Sequence, residues 1–193
     1  MAFSMYSASV PMMKTLLGGL SANLDKAAAF AEAKKIEPAV LLGARLAPDM
    51  FALTRQVQIA CDMARGGALR LAGREVPTLA DTETTIDELK ARIATTLAVI
   101  EGIPASAIEG SEDRKVVLKM RAGDTEFTGQ RYLMGFVIPN VTFHCTTAYN
   151  ILRHNGVEIG KRDFRGVLTT RGRRPGALPL DPSRGPRPLH PQP

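Results

Sequence analysis

The sequence contains few of the residues that build disulfide frameworks and zinc sites. It has no tryptophan, two cysteines and three histidines among 193 residues. Neither the paired Cys-x-x-Cys spacing of structural zinc sites nor the Gly-x-Ser-x-Gly turn of serine hydrolases occurs. Cys61 and Cys145 fall in the middle of predicted helices, which indicates buried, reduced thiols rather than a secreted scaffold. We therefore predict a cytoplasmic protein.

The positive charge of the chain lies mostly at its C-terminal end. The formal net charge is +6, and five of the 25 basic residues but only one of the 19 acidic residues follow residue 168, so +4 of that charge belongs to residues 169–193. The body has no basic stripe and only three tyrosines for base stacking. The sequence therefore argues against specific nucleic-acid binding.

The same C-terminal segment differs from the body in composition. Residues 169–193 hold seven of the 13 prolines and almost no apolar residues at helical spacing. Such a composition cannot bury enough apolar surface to fold by itself. We predict one folded domain over residues 1–168 and a disordered Arg/Pro-rich tail over residues 169–193.

No segment is predicted to enter a membrane. The first thirteen residues lack the basic region of a secretory signal. Residues 132–152 carry no Asp, Glu, Lys or Arg and are long enough to cross a bilayer, but Pro139, Asn140, Thr142 and His144 make this run too polar for lipid. The uncharged run instead predicts a helix buried in a protein core.

Four apolar repeats at helical spacing organise the body. They predict helices over about residues 7–35, 50–72, 86–100 and 129–155. The third begins with a capping box formed by Thr85 and Glu88. Before the fourth, Val116, Leu118 and Met120 alternate with charged residues, and a turn at residues 122–124 predicts a small β-hairpin. The repeats predict an all-α bundle of four helices with a hairpin before the last helix.

The fourth predicted helix carries the candidate site. Its inward row runs through His144, one turn after either Val141 or Asn140. Pro139 removes one helical hydrogen bond, so we expect a kink one turn before His144. At the end of the helix, the sequence Asn155-Gly156 is typical of a left-handed cap.

Residues 143–164, FHCTTAYNILRHNGVEIGKRDF, together with the preceding IPN, resemble a known family. This is the family labelled domain of unknown function nineteen-ninety-three, within the DinB/YfiT-like putative metalloenzymes. The resemblance covers about residues 3–168. It implies an up-down-down-up four-helix bundle that is often a homodimer. It gives no established activity for the family itself.

The wider superfamily implies a divalent metal, such as Zn, Ni or Mn, on three histidines, one from the second helix and two from the fourth. Only His144 matches that pattern here, because Asn140 and Ala148 stand one turn away and the second helix has no histidine. Gln56, Gln58 and Cys61 are the nearest polar substitutes on that helix. His154 is about 15 Å further along the helix axis, so it cannot share an ion with His144.

Two hypotheses follow for the function. In the first, the fold is kept as a homodimer that is non-catalytic or binds a small ligand weakly, with Asn140, His144 and Gln56 as the ligand-binding residues. In the second, the pocket around His144 supports metal- or thiol-dependent transfer or isomerisation, as in characterised superfamily members. Tyr149 is then a further catalytic candidate, although its angular position around the helix, relative to that of His144, favours packing in the core. The long uncharged helix favours a subunit interface in either case.

Overall fold

The structure is a computed structural model that describes residues 4–120 and 123–166. The predicted tail over residues 169–193 and the first residue of the predicted hairpin turn lie outside these ranges. The helices are α1 (Met5–Lys34), α2 (Pro38–Gly43), α3 (Leu53–Leu71), α4 (Ile86–Glu101), α5 (Ala105–Ile108), α6 (Gly129–Tyr132), α7 (Ile138–His154) and α8 (Lys161–Phe164). The strands are β1 (Lys115–Met120) and β2 (Gly123–Thr128).

The long helices pack through their predicted apolar rows. Helix α3 lies against α7, α4 and α1, and α1 also contacts α4 and α7. Leu17 and Leu24 of α1, Val57 of α3 and Leu89 of α4 are fully buried in the resulting core. The mostly helical architecture and the antiparallel hairpin, β1 with β2, confirm those parts of the sequence prediction. Short helices α2, α5 and α8 were not predicted, because each is only one turn or so long.

Two helix ends are formed as their sequences predicted. The Thr85 side chain accepts a hydrogen bond from the backbone of Glu88, and the Glu88 side chain accepts one from the backbone of Thr85, which completes the capping box of α4. At the end of α7, Gly156 adopts φ 93°. The backbone N–H of Val157 donates to Leu152 and that of Gly156 donates to Arg153, the two bonds of a Schellman motif.

The helix that carries His144 is continuous but not uniform. Helix α6 passes into a π-helical turn, Leu133–Val137, which passes directly into α7. The backbone N–H of Ile138 donates to the carbonyl of Leu133, five residues earlier. Pro139 follows at once and has no N–H to continue the regular ladder. The wide turn therefore lies just before Pro139, about two turns or more before His144, and not one turn before it, where the sequence predicted a kink.

Within the described residues, no helix combines the length and the apolar character needed to cross a membrane. The uncharged run that ends in α7 packs one face against α3 and α1 instead, while Met134 and Phe143 in the same run are exposed.

Candidate functional site

The inward row of α7 places His144 at its contact with α3. Val137, Val141 and Ala148 are fully buried, and His144 retains 9% of its exposure. Asn140 is only half-buried. The row therefore continues through Val141, which resolves the alternative that the sequence left open.

His144 forms one hydrogen bond to α3. Its Nδ1 atom lies 2.7 Å from Oε1 of Gln56, and both side chains are buried. Gln56 was one of three polar residues of this helix that the sequence offered as neighbours of His144. We call these two residues the His144–Gln56 pair.

The backbone fixes which atoms of the pair carry protons. Nε2 of Gln56 donates to the carbonyl oxygen of Phe51 at 3.0 Å. Because a carbonyl can only accept, the amide nitrogen must face Phe51 and the amide oxygen must face His144. That oxygen also only accepts, so Nδ1 of His144 carries the proton. The Nε2 atom of the neutral ring then keeps its lone pair for another partner.

Electrostatics favour the same neutral form of His144. Burial, and then the positive charge of Arg55, hold the pKa of His144 below its ordinary value. A neutral imidazole with one nitrogen already bonded can accept a hydrogen bond, accept a proton or bind a metal through the other nitrogen. Nε2 of His144 can therefore accept a hydrogen bond or a proton at neutral pH.

Two exposed phenylalanines belong to the segments that form the pair. Phe143 packs edge-on against the His144 ring, with 5.2 Å between ring centroids and 88° between planes. Its side chain is 54% exposed, and that of Phe51, whose carbonyl holds Gln56, is 56% exposed. The Phe143 ring thus places an exposed apolar surface against the imidazole of His144.

The other predicted site residues have different partners. The side-chain amide of Asn140 donates to the carbonyl of Phe136 at 2.7 Å, within its own helix. The Tyr149 ring packs edge-on against Phe164 of α8, with 5.7 Å between centroids. Among the hydrogen bonds of the described residues, none joins Asn140 or Tyr149 to His144. The structure brings together only His144 and Gln56 from the predicted set.

The remaining polar candidates on α3 face elsewhere. Gln58 donates to Glu83 at 2.9 Å, on the side of α3 that contacts α4. Cys61 is buried, and burial raises the pKa of its thiol to about 12. Burial also raises the pKa of Cys145 far above its ordinary value. Neither sulfur is a ready thiolate ligand or nucleophile at neutral pH.

The residues around His144 do not match the donor set of a protein-bound divalent metal. Over residues 4–120 and 123–166 there is no cluster of three or more His, Cys, Asp or Glu side chains arranged to hold an ion. The oxygen of Gln56 is engaged by His144 itself, and amides are poor ligands for metals that prefer imidazole. One imidazole nitrogen is the only strong donor that the pair offers.

A second polar cluster on α3 was not anticipated from the sequence. Arg92 of α4, 5% exposed, donates to Asp62 at 2.8 Å and to Glu83 at 2.9 Å, and pairs with Asp81 at 3.0 Å. Arg55 also pairs with Asp81, and Arg65 lies 3.7 Å from Asp62. We call these six residues the Arg92 cluster. Its signal in the sequence was an arginine on the buried row of α4, three residues after Leu89.

Burial and hydrogen bonding act in opposite directions on the pKa of Glu83 in this cluster. Burial alone would raise the pKa of Glu83, but hydrogen bonds from Arg92 and Gln58 lower it below its ordinary value. The cluster contains three arginines and three carboxylates, so its formal charges balance. It connects α3, α4 and the intervening segment and leaves no charge for a ligand.

Comparison with known proteins identifies the fold. No curated protein matches the chain. A crystal structure of a DinB family member from Shewanella denitrificans is 42% identical, with a TM-score of 0.79, over 86% of this chain and 94% of that chain. The family model described as Domain of unknown function (DUF1993) matches residues 5–165. With its helical fold and hairpin, this chain belongs to the DUF1993 family of DinB-like proteins.

Proposed function

We propose that this protein is a non-catalytic, DinB-like four-helix bundle that binds a small ligand weakly through Nε2 of His144 and assembles as a homodimer. The observation that carries the proposal is the 2.7 Å hydrogen bond between His144 and Gln56. It commits Nδ1 to a protein acceptor and leaves one nitrogen, a single hydrogen-bond acceptor, for the ligand.

A non-catalytic role is supported by the partners of the other candidate groups. An enzyme that uses His144 as a base is expected to place a further acid, base or electrostatic stabiliser around the same reacting atoms. Tyr149 packs on Phe164, and Asn140 bonds to its own helix. Arg55, whose charge lowers the pKa of His144, is itself engaged by Asp81 and Gln58.

The alternative is a metal- or thiol-dependent enzyme that uses the same histidine. It is favoured by the similarity to a DinB family member and by the low pKa of His144, which keeps a ligand lone pair available at neutral pH. A bound Zn, Ni or Mn would then need donors from a substrate or thiol, because the protein supplies one imidazole nitrogen.

The metal content of the purified protein distinguishes these functions. Protein prepared without a histidine tag, beside a His144→Ala variant, is expected to contain well under one equivalent of Zn, Ni or Mn in both forms. One equivalent in the wild type that is lost in the variant would favour the enzyme instead.

The homodimer is supported by exposed aromatic side chains at the contact of α3 with α7. Phe143, which packs against the His144 ring, and Phe51, whose backbone carbonyl holds Gln56, both present large apolar side chains to solvent. A second copy packed on this surface would remove that apolar area from water and would enclose the ligand position. Buried, unpaired Cys61 and Cys145 support a reducing, cytoplasmic location for this assembly.

Light scattering tests the dimer at this surface. We expect a dimer mass for the wild type at micromolar concentration and a monomer mass for Phe143→Ser. Leu79→Ser is the matched control, because Leu79 is also exposed but lies in the segment between α3 and α4. A monomeric wild type, or the same effect from both substitutions, would contradict the proposal.

A further inference from the structure

A groove lies on a different part of α3 from the His144–Gln56 pair. It has a volume of about 510 Å³ and is bounded by α3, β1 and the residues around Phe136. Its apolar walls are Met63, Leu118, Met120 and Phe136. This volume is in the range of small-molecule sites, and such sites combine apolar walls with a few polar groups.

The structure holds the guanidinium of Arg70 at this groove. Its Nη1 atom donates to the hydroxyl oxygen of Tyr132 at 3.2 Å. Beneath it lies Gly66, where a Cβ atom would stand 2.6 Å from the same Nη1 atom. The absence of a side chain at Gly66 therefore makes the space that the guanidinium occupies.

The positive charge of Arg70 has no protein counterion among the described residues. The guanidinium donates to the neutral hydroxyl of Tyr132, and none of the ion pairs among the described residues includes Arg70. Asp62 also lines the groove, but it is engaged by Arg92 and Arg65. Lys119 of β1 adds a second positive charge to the lining. The groove therefore carries an excess of positive charge.

Tyr132 supplies a hydrogen-bond donor beside Arg70. Burial raises the pKa of its hydroxyl, so this group is protonated at neutral pH. Because its oxygen accepts from Arg70, its proton is left to donate. The ring is held in place by Phe136, stacked at a centroid distance of 5.9 Å, and by Phe127 at 6.0 Å.

We propose that this groove binds a small organic carboxylate with an aromatic or branched apolar body. The carboxylate accepts hydrogen bonds from Arg70 and from the Tyr132 hydroxyl, with Lys119 adding charge. The apolar body lies on Met63 and Phe136. The site is independent of the function proposed for His144, because Arg70 is about 21 Å along α3 from Gln56.

Methyl NMR of the full-length protein, prepared with labelled methionines, tests the site with 3-phenylpropionate. Saturable shifts are expected at Met63 and Met120, with none at Met13, which is buried in the core. The neutral analogue 3-phenylpropanol and inorganic sulfate should each bind about tenfold more weakly, because one lacks the charge and the other lacks the apolar body. No binding of 3-phenylpropionate, or equal binding of the acid and the alcohol, would overturn the proposal.

Substitutions assign the binding to Arg70. Arg70→Met should weaken 3-phenylpropionate binding about tenfold or more, whereas Arg74→Met, an exposed arginine just beyond the same helix, should leave it unchanged. Equal affinities in these two variants would contradict the site. Should Arg70→Met fail to fold, Gly66→Ala decides, because the added methyl crowds the end of the flexible Arg70 side chain and makes only an ordinary contact with Val76. It should weaken binding, and unchanged binding would count against the proposal. His144→Ala should bind normally in either case.

Discussion

Helix α3 contributes to two polar groupings that differ in what they leave for a ligand. On the side facing α7, Gln56 bonds to His144, and the second ring nitrogen keeps its lone pair. On the side facing α4, three arginines and three carboxylates neutralise one another. The spare acceptor of the first marks a candidate ligand site, and the balanced charge of the second marks a structural connection.

The Arg92 cluster has a structural role. Arg92 also donates to the backbone carbonyl of Ala80 at 3.0 Å. Together with the bonds to Asp81 and Glu83, this fixes the segment between α3 and α4 onto both helices. Burying such charges costs desolvation energy, so the gain is in specifying one position for the segment rather than in large net stability.

The largest predicted effect comes from breaking this cluster. Arg92→Met leaves three carboxylates without their shared cation, and we expect a loss of about 3 kcal/mol in the free energy of unfolding. Urea denaturation measures it. Lys90→Met, on the same helix, should have little effect because its ion pair with Asp25 is largely solvated. Similar losses for the two variants would contradict the distinction between buried and surface pairs.

The His144–Gln56 pair should show a smaller effect and a clear coupling. Gln56→Leu leaves a buried imidazole N–H without an acceptor, and His144→Leu leaves the Gln56 oxygen without a donor. Each should cost about 1–3 kcal/mol in unfolding free energy. The double variant should cost less than the sum, because both unsatisfied groups are then removed. Additivity within about 0.5 kcal/mol would show that the pair is not a unit.

The pH dependence of stability should reveal the neutral state of His144. Since burial and Arg55 lower its pKa in the folded protein from the ordinary 6.5, the unfolded chain binds this proton more tightly. The stabilisation is fully present above pH 6.5 and declines as the pH falls from 6.5 toward the folded pKa. Thermal unfolding of the wild type and His144→Leu should therefore give melting temperatures that are closer at pH 5 than at pH 8. The same difference in melting temperature at both pH values would contradict this prediction.

The smallest predicted effect concerns Arg55, which links the two groupings. It pairs with Asp81 in the cluster, and its charge lowers the pKa of His144. Arg55→Met should raise that pKa in an NMR titration while changing the free energy of unfolding by less than about 1 kcal/mol, since this arginine is 39% exposed. If the pKa of His144 did not change, the charge of Arg55 would not couple the Arg92 cluster to the His144–Gln56 pair, and the prediction would be wrong.

The sequence predicted the long helices because their apolar spacing, caps and terminators are local signals. The box at Thr85 and the cap at Gly156 were recognisable for this reason. It also placed His144 inward and named Gln56 among its neighbours. It did not predict the Arg92 cluster, whose partners are brought together by packing across α3, α4 and the segment between them. Nor did it show the role of Phe51, because a backbone carbonyl leaves no trace in residue identity.

The protonation of the two ring nitrogens of His144 tests the central claim most directly. Nitrogen-15 NMR of the tag-free protein at pH 8 should show Nδ1 protonated and Nε2 unprotonated and free of metal, with no change on addition of a chelator. In Gln56→Leu, the preference for this tautomer should weaken. A protonated Nε2 in the wild type, or a metal-bound Nε2 that the chelator releases, would contradict the account.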